Sequence, residues 1–240
     1  MQQITIANEP DSDLLRRSLS AHGYVCIRGV EDGSALLAWA ESMGEIVAPG
    51  VGMPDGMHDG RIYSVAVRGG GKGEVDRYGH SILSTTDRAF PLHTDAYNRP
   101  QAPRYVFLLR SDHGAGSTAS QVSDAREAFR RLSKEHQSLL REAIFPSAVG
   151  PRPLLEPVGD TTLFRFNGEE IRRWADREGE GLSASAAAAM AAFEEEMIAI
   201  QDTFTIDPLV CLLVDNWRVC HGRSRIPPGS ERVLQRVWVA

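Results

Sequence analysis

His93 and Asp95 stand two positions apart in PLHTDAYNRP, a stretch that reads as a strand followed by a turn, and His221 lies far downstream in LLVDNWRVCHGR. Side chains alternate across a strand, so His93 and Asp95 are expected to point the same way while Thr94 enters the other layer. Two imidazoles and one carboxylate form a donor set that holds non-haem Fe(II) on one face of an octahedron and leaves the other face for small ligands. A lone His-x-Asp also occurs as a surface hydrogen-bond pair or a turn former, so the motif has to be read with its context.

That context includes two arginines. In ERVLQRVWVA, Arg232 and Arg236 fall on one strand face with Leu234 and Trp238, and Val233, Gln235, Val237 and Val239 fall on the other. Large apolar groups on both faces predict a strand covered on both sides. A guanidinium keeps its proton under all ordinary conditions, so two of them beside a covered strand require anions. For Arg236 a carboxylate of the protein and a bound ligand are equally good partners. For Arg232 the anionic end of a ligand is the better one.

The elements that must position these groups are legible in outline. Leucines at helical spacing followed by glycine predict a helix over Asp11 to Ala21, and SALLAWAESMG predicts another over Ser34 to Gly44, with the strand YVCIRGV between them. RYVFLLR is a second buried strand. DAREAFRRLSKEHQSLLREAIF, from Asp124 to Phe145, reads as one long amphipathic helix with Asp124 as its N-cap. A proline-rich connector leads to TTLFRFN, a helix follows over Leu182 to Phe204, and PLVCLLV and ERVLQRVWVA are the last strands. Between Gly50 and Gly79 glycine is dense around the strand-like RIYSVAV, a composition expected of lid loops. Strands before and after helical segments predict a β core decorated by helices, built as a double-sheet roll.

Length and composition set the limits. The 240 residues, 42% of them apolar, suit one domain: a helix–strand–helix opening at 1–50, a Gly-rich lid region at 50–90 and a helical insert at 125–207 between core strands. A formal net charge of −6 offers no basic excess for nucleic acid, although a pocket's local charge can still suit a small anion. Cys26, Cys211 and Cys220 form no CxxC pair and are expected to be reduced thiols. The opening MQQITIANEPDSD has no signal-peptide character and the longest apolar tract is too short to span a bilayer, so a cytoplasmic location without membrane contact is expected. Nothing in the sequence speaks to oligomeric state.

Taken together, HTD at 93–95, DNWRVCHGR at 215–223 and arginines 11 and 15 residues after the second histidine resemble the taurine dioxygenase/clavaminate synthase-like group of Fe(II)/2-oxoglutarate-dependent oxygenases. The likeness extends to the opening HGYVCIRGV and the following helix ending in SMGEI. It implies a double-stranded β-helix core, a jelly-roll of cupin-like type. It implies that His93, Asp95 and His221 ligate Fe(II), and that Arg232 pairs with the distal carboxylate of the co-substrate 2-oxoglutarate, for which its planar fork is suited. Thr118 falls near the family's GG-x-T turn and would touch the same carboxylate; here Ala115 precedes Gly116, a departure from that pattern. Arg236 matches a position that in some members contacts substrate. Asn216 and Arg223, flanking His221, are expected either to support the ligands or to satisfy backbone at a bend.

The resemblance further implies consumption of O2, release of succinate and CO2, and oxidation of a C–H bond in a small polar metabolite, an amino acid or a derivative of one. Related halogenases replace the carboxylate ligand by a small residue, so Asp95 points to hydroxylation, desaturation or ring closure and away from halogenation. His22, His113 and His136 read as structural, whereas His58, His80, Ser81 and Ser84 sit where a closing lid would bring them to the pocket. Two rival readings remain: a metal- or anion-binding β-roll sensor without turnover, and a cupin-like enzyme independent of 2-oxoglutarate.

Overall fold

The computed structural model describes residues 3–5, 11–48, 57–58, 60–76, 79, 81–112, 118–178, 182–230 and 232–240. In chain order these form β1 (Gln3–Thr5), α1 (Ser12–His22), β2 (Tyr24–Arg28), α2 (Gly33–Met43), β3 (Met57–His58), β4 (Ile62–Ala66), β5 (Phe90–His93), β6 (Tyr105–Arg110) and β7 (Ala119–Asp124). There follow α3 (Ala125–Arg131), α4 (Lys134–Glu142), β8 (Ile144–Phe145), β9 (Arg152–Pro153), β10 (Leu155–Val158), β11 (Thr161–Phe164), α5 (Gly168–Glu178) and α6 (Ala184–Ile200). The chain closes with β12 (Asp202–Thr205), β13 (Val210–Asp215), β14 (Val219–Arg223) and β15 (Val233–Val239).

Two sheets carry the architecture. One has seven strands in the order β1-β2-β13-β6-β15-β4-β3, the other four in the order β12-β7-β14-β5. The strands of the large sheet divide their side chains by the two-residue period. Phe107 and Leu109 of β6, Cys211 and Leu213 of β13, and Val237 and Val239 of β15 pack with Leu15 and Leu19 of α1 and Leu36 and Ala40 of α2. Their alternates, Val106, Leu108, Leu212, Leu234 and Trp238, fill the space between the sheets with Val122 of β7 and Val219 of β14. A third cluster lies on the far side of the small sheet, where Phe129, Leu140, Ile171, Phe193 and Met197 of the helices meet Leu92 and Cys220. The result is a two-sheet β roll with helices on both outer faces. The expected division of ERVLQRVWVA into two faces is the one observed.

Three expectations about local structure are corrected. The long helix over Asp124 to Phe145 is two helices: Asp124 caps the first, but Leu132 leaves the helical conformation and the Ser133 side chain accepts the His136 N–H as cap of the second. Ser133→Ala should therefore cost about 1 kcal/mol, measured by urea denaturation. The predicted helix over Leu182 to Phe204 stops at Ile200, and Asp202–Thr205 becomes β12, paired with β7. Finally α5, absent from the sequence reading, is an amphipathic helix that buries Ile171, Trp174 and Ala175.

Candidate metal centre and its two cavities

The centre forms where the small sheet and the neighbouring turns meet. His93 on β5 lies directly opposite His221 on β14. The chain crosses between sheets to get there: β13 ends in the large sheet at Asp215, and the turn through Asn216 and Trp217 delivers β14 to the small one. The strand carrying His93 ends at that residue, so strand alternation is not what aligns Asp95 with it. Asp95 stands in the following turn, next to Ala96 with φ 53. Asn216 fixes this turn, because its Oδ1 accepts the Asp95 N–H at 2.7 Å and its Nδ2 donates to the Asp95 and Pro103 carbonyls at 3.1 and 2.9 Å. An amide side chain thus takes the place of a sheet neighbour.

The ligand atoms of His93, Asp95 and His221 all lie within 4.8 Å of one another and all three residues are buried. Asp95 Oδ1 is 3.5 Å from His93 Nε2 and 3.8 Å from His221 Nε2. The Pro91 carbonyl, 2.9 Å from His93 Nδ1, favours the tautomer with the proton on Nδ1 and the lone pair on Nε2. Burial, reinforced by the neighbouring His93, pushes the His221 pKa down to about 3, so its imidazole is neutral. Burial opposes ionisation of Asp95, but the Arg236 guanidinium outweighs it and holds the carboxyl below its usual range. A neutral His221 and an ionised Asp95 are in the protonation states that a divalent cation requires, and His93 Nε2 faces the same point. The residues therefore fit Fe(II).

Each supporting contact has an identifiable source. Arg236 donates to both Asp95 oxygens at 3.1 Å, and Trp238 Nε1 donates to Oδ2 at 2.7 Å. The Arg236 guanidinium also lies 4.8 Å from the ring centroids of Tyr63 and Trp238. Of the two partners left open for Arg236, the protein supplies the carboxylate itself. Phe90 stacks on His93 at 3.8 Å between centroids. Arg223, next but one to His221, donates to the Leu83 and Thr86 carbonyls at 3.0 and 2.7 Å and to the Arg88 carbonyl, tying the segment before β5 to β14.

Gly222 sits between these two residues for a steric reason. A Cβ there would lie 2.7 Å from the Phe90 oxygen, 3.0 Å from the Pro91 carbonyl carbon and 3.1 Å from the Leu92 nitrogen, all of them backbone of β5. Gly222→Ala should push β5 away from β14 and move His93 off His221. The expected loss of Fe(II) affinity is about 10- to 100-fold, read by anaerobic Fe(II) titration.

Two cavities share Ser84, Phe90, His93 and Arg236 and so meet at the centre. The first is lined mainly by apolar groups, with Leu108, Leu212 and Leu234 as walls and Arg223 and Arg232 among its lining residues. Arg232 is buried, and its guanidinium has no hydrogen bond or ion pair among the described residues. Burial and the charges of Arg223 and Arg110 depress its pKa to about 10, against the favourable Asp112. Asp112 itself is taken by Arg110 and the Val233 N–H. Thr118 is likewise buried, with an Oγ1 that has no hydrogen-bond partner. It lies two residues before Ser120, which lines the first cavity.

The second cavity holds the polar groups. It is lined by Asp76, Ser81, Asn98, Arg99, Asn167 and Glu170 as well as Asp95 and Trp238. Arg99, Asn167 and Glu170 are marked by no motif in the sequence. A signal for the last two was present: Asn167 Oδ1 accepts the Glu170 N–H as a helix cap does, and Asn167 bridges His93, which brings the start of α5 to the centre. The Arg99 guanidinium lies 5.0 Å from the Trp238 ring centroid, and burial and Arg236 lower its pKa. His22 and His136 sit in α1 and α4, away from both cavities. His80, His113, the His58 side chain and parts of the Gly-rich region lie outside the described residues.

Comparison with known proteins places these features. The profile of the family described as "Taurine catabolism dioxygenase TauD, TfdA family" matches residues 3–145, more than half of the chain. An L-lysine 3-hydroxylase of Catenulispora acidiphila is 26% identical over 170 residues, which cover 62% of this chain and 44% of that protein; the match thus spans less than half of the relative's length. Among solved structures, an asparagine oxygenase bound to Fe(II), 3-hydroxyasparagine and succinate superposes with a TM-score of 0.72 at 20% identity, covering 95% of this chain and 79% of the other. The non-haem iron oxygenase OrfP with Fe and alpha-ketoglutaric acid gives 0.68 at 19%, covering 95% and 78%. At those identities the likeness establishes the fold, the double-stranded β-helix of these oxygenases. The family match ends before His221, so the third ligand rests on the geometry.

Proposed function

Since the chain belongs to the TauD/TfdA dioxygenase family, we propose that it is an Fe(II)- and 2-oxoglutarate-dependent dioxygenase. Its reaction is hydroxylation of a C–H bond in a small polar metabolite, an amino acid or amino-acid-derived compound, with release of succinate and CO2. The observation that carries this reading is the cavity that runs from the His93–Asp95–His221 cluster to the unpaired guanidinium of Arg232. A bound Fe(II) would supply O2 activation coupled to decarboxylation of 2-oxoglutarate. The protein's own groups do the rest. His93, Asp95 and His221 hold the ion. Arg232, with Thr118, holds the far carboxylate of 2-oxoglutarate, and the apolar walls between exclude water.

The second cavity is the substrate compartment. Its lining carries charges of both signs, with Arg99 and Arg236 on one side of the balance and Asp76 and Glu170 on the other, although Arg236 is held by Asp95 and Glu170 is ion-paired with Arg173. An amino acid carries both signs, and the similar L-lysine 3-hydroxylase, the asparagine oxygenase and OrfP, solved also with (3R,4R)-dihydroxy-L-Arg, favour that class. We read the chain as one such domain. We also place it in the cytoplasm: its three cysteines are free thiols and no helix among the described residues is long and apolar enough to cross a membrane.

Anaerobic addition of Fe(II) and then 2-oxoglutarate should produce the weak visible charge-transfer band of a chelated 2-oxo acid. Without that band, the rival reading of a metal-binding sensor would take over. A succinate-release screen over amino acids and small sulfonates, with product mass to exclude uncoupled turnover, identifies the substrate.

A further inference from the structure

We propose that a second anion site, separate from the metal centre, lies behind the turn that carries Asn216, and that it takes a phosphate group. Arg16, Arg104, Arg126 and Arg218 line one hollow together with Tyr105, Trp217 and Asp215. The groups come from four places in the chain: α1, the start of β6, α3 and the β13–β14 turn.

The positive charge in this hollow is only half matched. Arg218 is engaged, with Asp124 Oδ2 at 2.6 Å from Nη2 and the Leu19 and Ser20 carbonyls at 3.1 and 2.8 Å from Nη1. Arg16 donates to the Met43 carbonyl at 2.6 Å. Arg104 lies 5.3 Å from the centroids of both the Tyr105 and Trp217 rings, and its guanidinium makes no hydrogen bond or ion pair among the described residues. Arg126 approaches a carboxylate no closer than 3.8 Å, at Asp124 Oδ1. The Nε atoms of Arg104 and Arg126 are buried without an acceptor. Four guanidiniums therefore face two carboxylates, Asp124 and Asp215, in a chain whose net charge is −6.

An adjoining hollow shares Arg126 and Thr161 and adds Arg130, Arg141 and Asp160. Glu127 pairs with Arg130 and Arg131, so these additions do not cancel the surplus. Leaving buried N–H donors unsatisfied is costly, and self-repulsion among half-buried cations adds to it. Stacking on aromatic rings offsets part of the charge of Arg104 but supplies no acceptor. An oxyanion with several lone pairs and two negative charges meets both deficits. Phosphate, free or as a monoester, has that chemistry.

The test is calorimetric titration of the full chain with inorganic phosphate, and in a parallel arm with glycerol 1-phosphate, at constant ionic strength. Binding of both at similar affinity assigns the site to the phosphate group, and a preference for the ester points to a phosphorylated metabolite. Arg104→Gln and Arg126→Gln should each weaken binding at least tenfold, while the exposed Arg61→Gln should leave it unchanged. Phosphate could also enter beside Arg232, so Arg232→Met is titrated as well. The proposal is overturned if phosphate does not bind, or if binding disappears in Arg232→Met and survives in both hollow variants.

Discussion

An Asp95→Asn variant should lose Fe(II) binding and, in the metal-free protein, about 3 kcal/mol of stability. Asparagine keeps the shape of the side chain and one acceptor for Trp238, so the packing change is small. What disappears is the charge facing the Arg236 guanidinium, which donates to both Asp95 oxygens in a buried setting. Removing one member of a buried pair leaves the other desolvated without compensation, and this is the expensive case. His221→Ala makes the contrast. It should abolish Fe(II) binding as completely, yet the imidazole it removes is neutral and its Nδ1 has no hydrogen-bond partner. Urea denaturation of the two apo variants should therefore place Asp95→Asn well below His221→Ala. Equal stabilities would mean that Arg236 does not depend on Asp95, and Fe(II) binding by Asp95→Asn would remove Asp95 from the ligand set.

How far the sequence reaches can be judged from the same residues. The ligand types and the arginine spacing were legible because they follow from chemistry: a facial donor set, and a guanidinium on a strand covered on both faces. The division of β15 into Leu234 and Trp238 on one side and Val237 and Val239 on the other was legible because side-chain alternation is a local rule. What joins His93 to Asp95 was not. It depends on Asn216, more than a hundred positions away, taking the hydrogen bonds that would otherwise continue a strand. Long-range pairing of this kind leaves no periodic trace in one sequence. The break at Ser133 was missed for a different reason, since a hydrophobic period continues across the gap while the serine hydroxyl starts a new helix.

Arg236 illustrates how a reading of one strand can leave a question that only the fold answers. Burial required an anion, and protein and ligand were equally good sources of it. The turn after β5 brings Asp95 within 3.1 Å, and Trp238 on the same face of β15 completes the cradle. Arg232, four residues earlier, enters the same interior with no carboxylate of its own among the described residues. The two arginines thus differ in what surrounds them: Arg236 is held by the Asp95 carboxylate, and Arg232 has no ion partner among the described residues.

That difference predicts opposite signs for one substitution. Arg232→Met should weaken 2-oxoglutarate binding at least about 100-fold, because two charge-assisted hydrogen bonds to a carboxylate are lost. The same change should raise the stability of the protein without co-substrate by about 1 kcal/mol or more, since a buried cation with no ion partner is exchanged for an apolar chain of similar length. The nearest opposing charge, Asp112, keeps Arg110 and the Val233 N–H as partners and is not orphaned by the change. Thermal unfolding of wild type and variant with and without 2-oxoglutarate measures both effects at once. The ligand should raise the melting temperature of the wild type and leave the variant unmoved, and the variant alone should melt above the ligand-free wild type. A variant that is less stable than wild type would reveal a protein partner for Arg232, undiminished 2-oxoglutarate binding would remove Arg232 from the co-substrate site, and absence of 2-oxoglutarate binding by the wild type itself would favour the cupin-like reading.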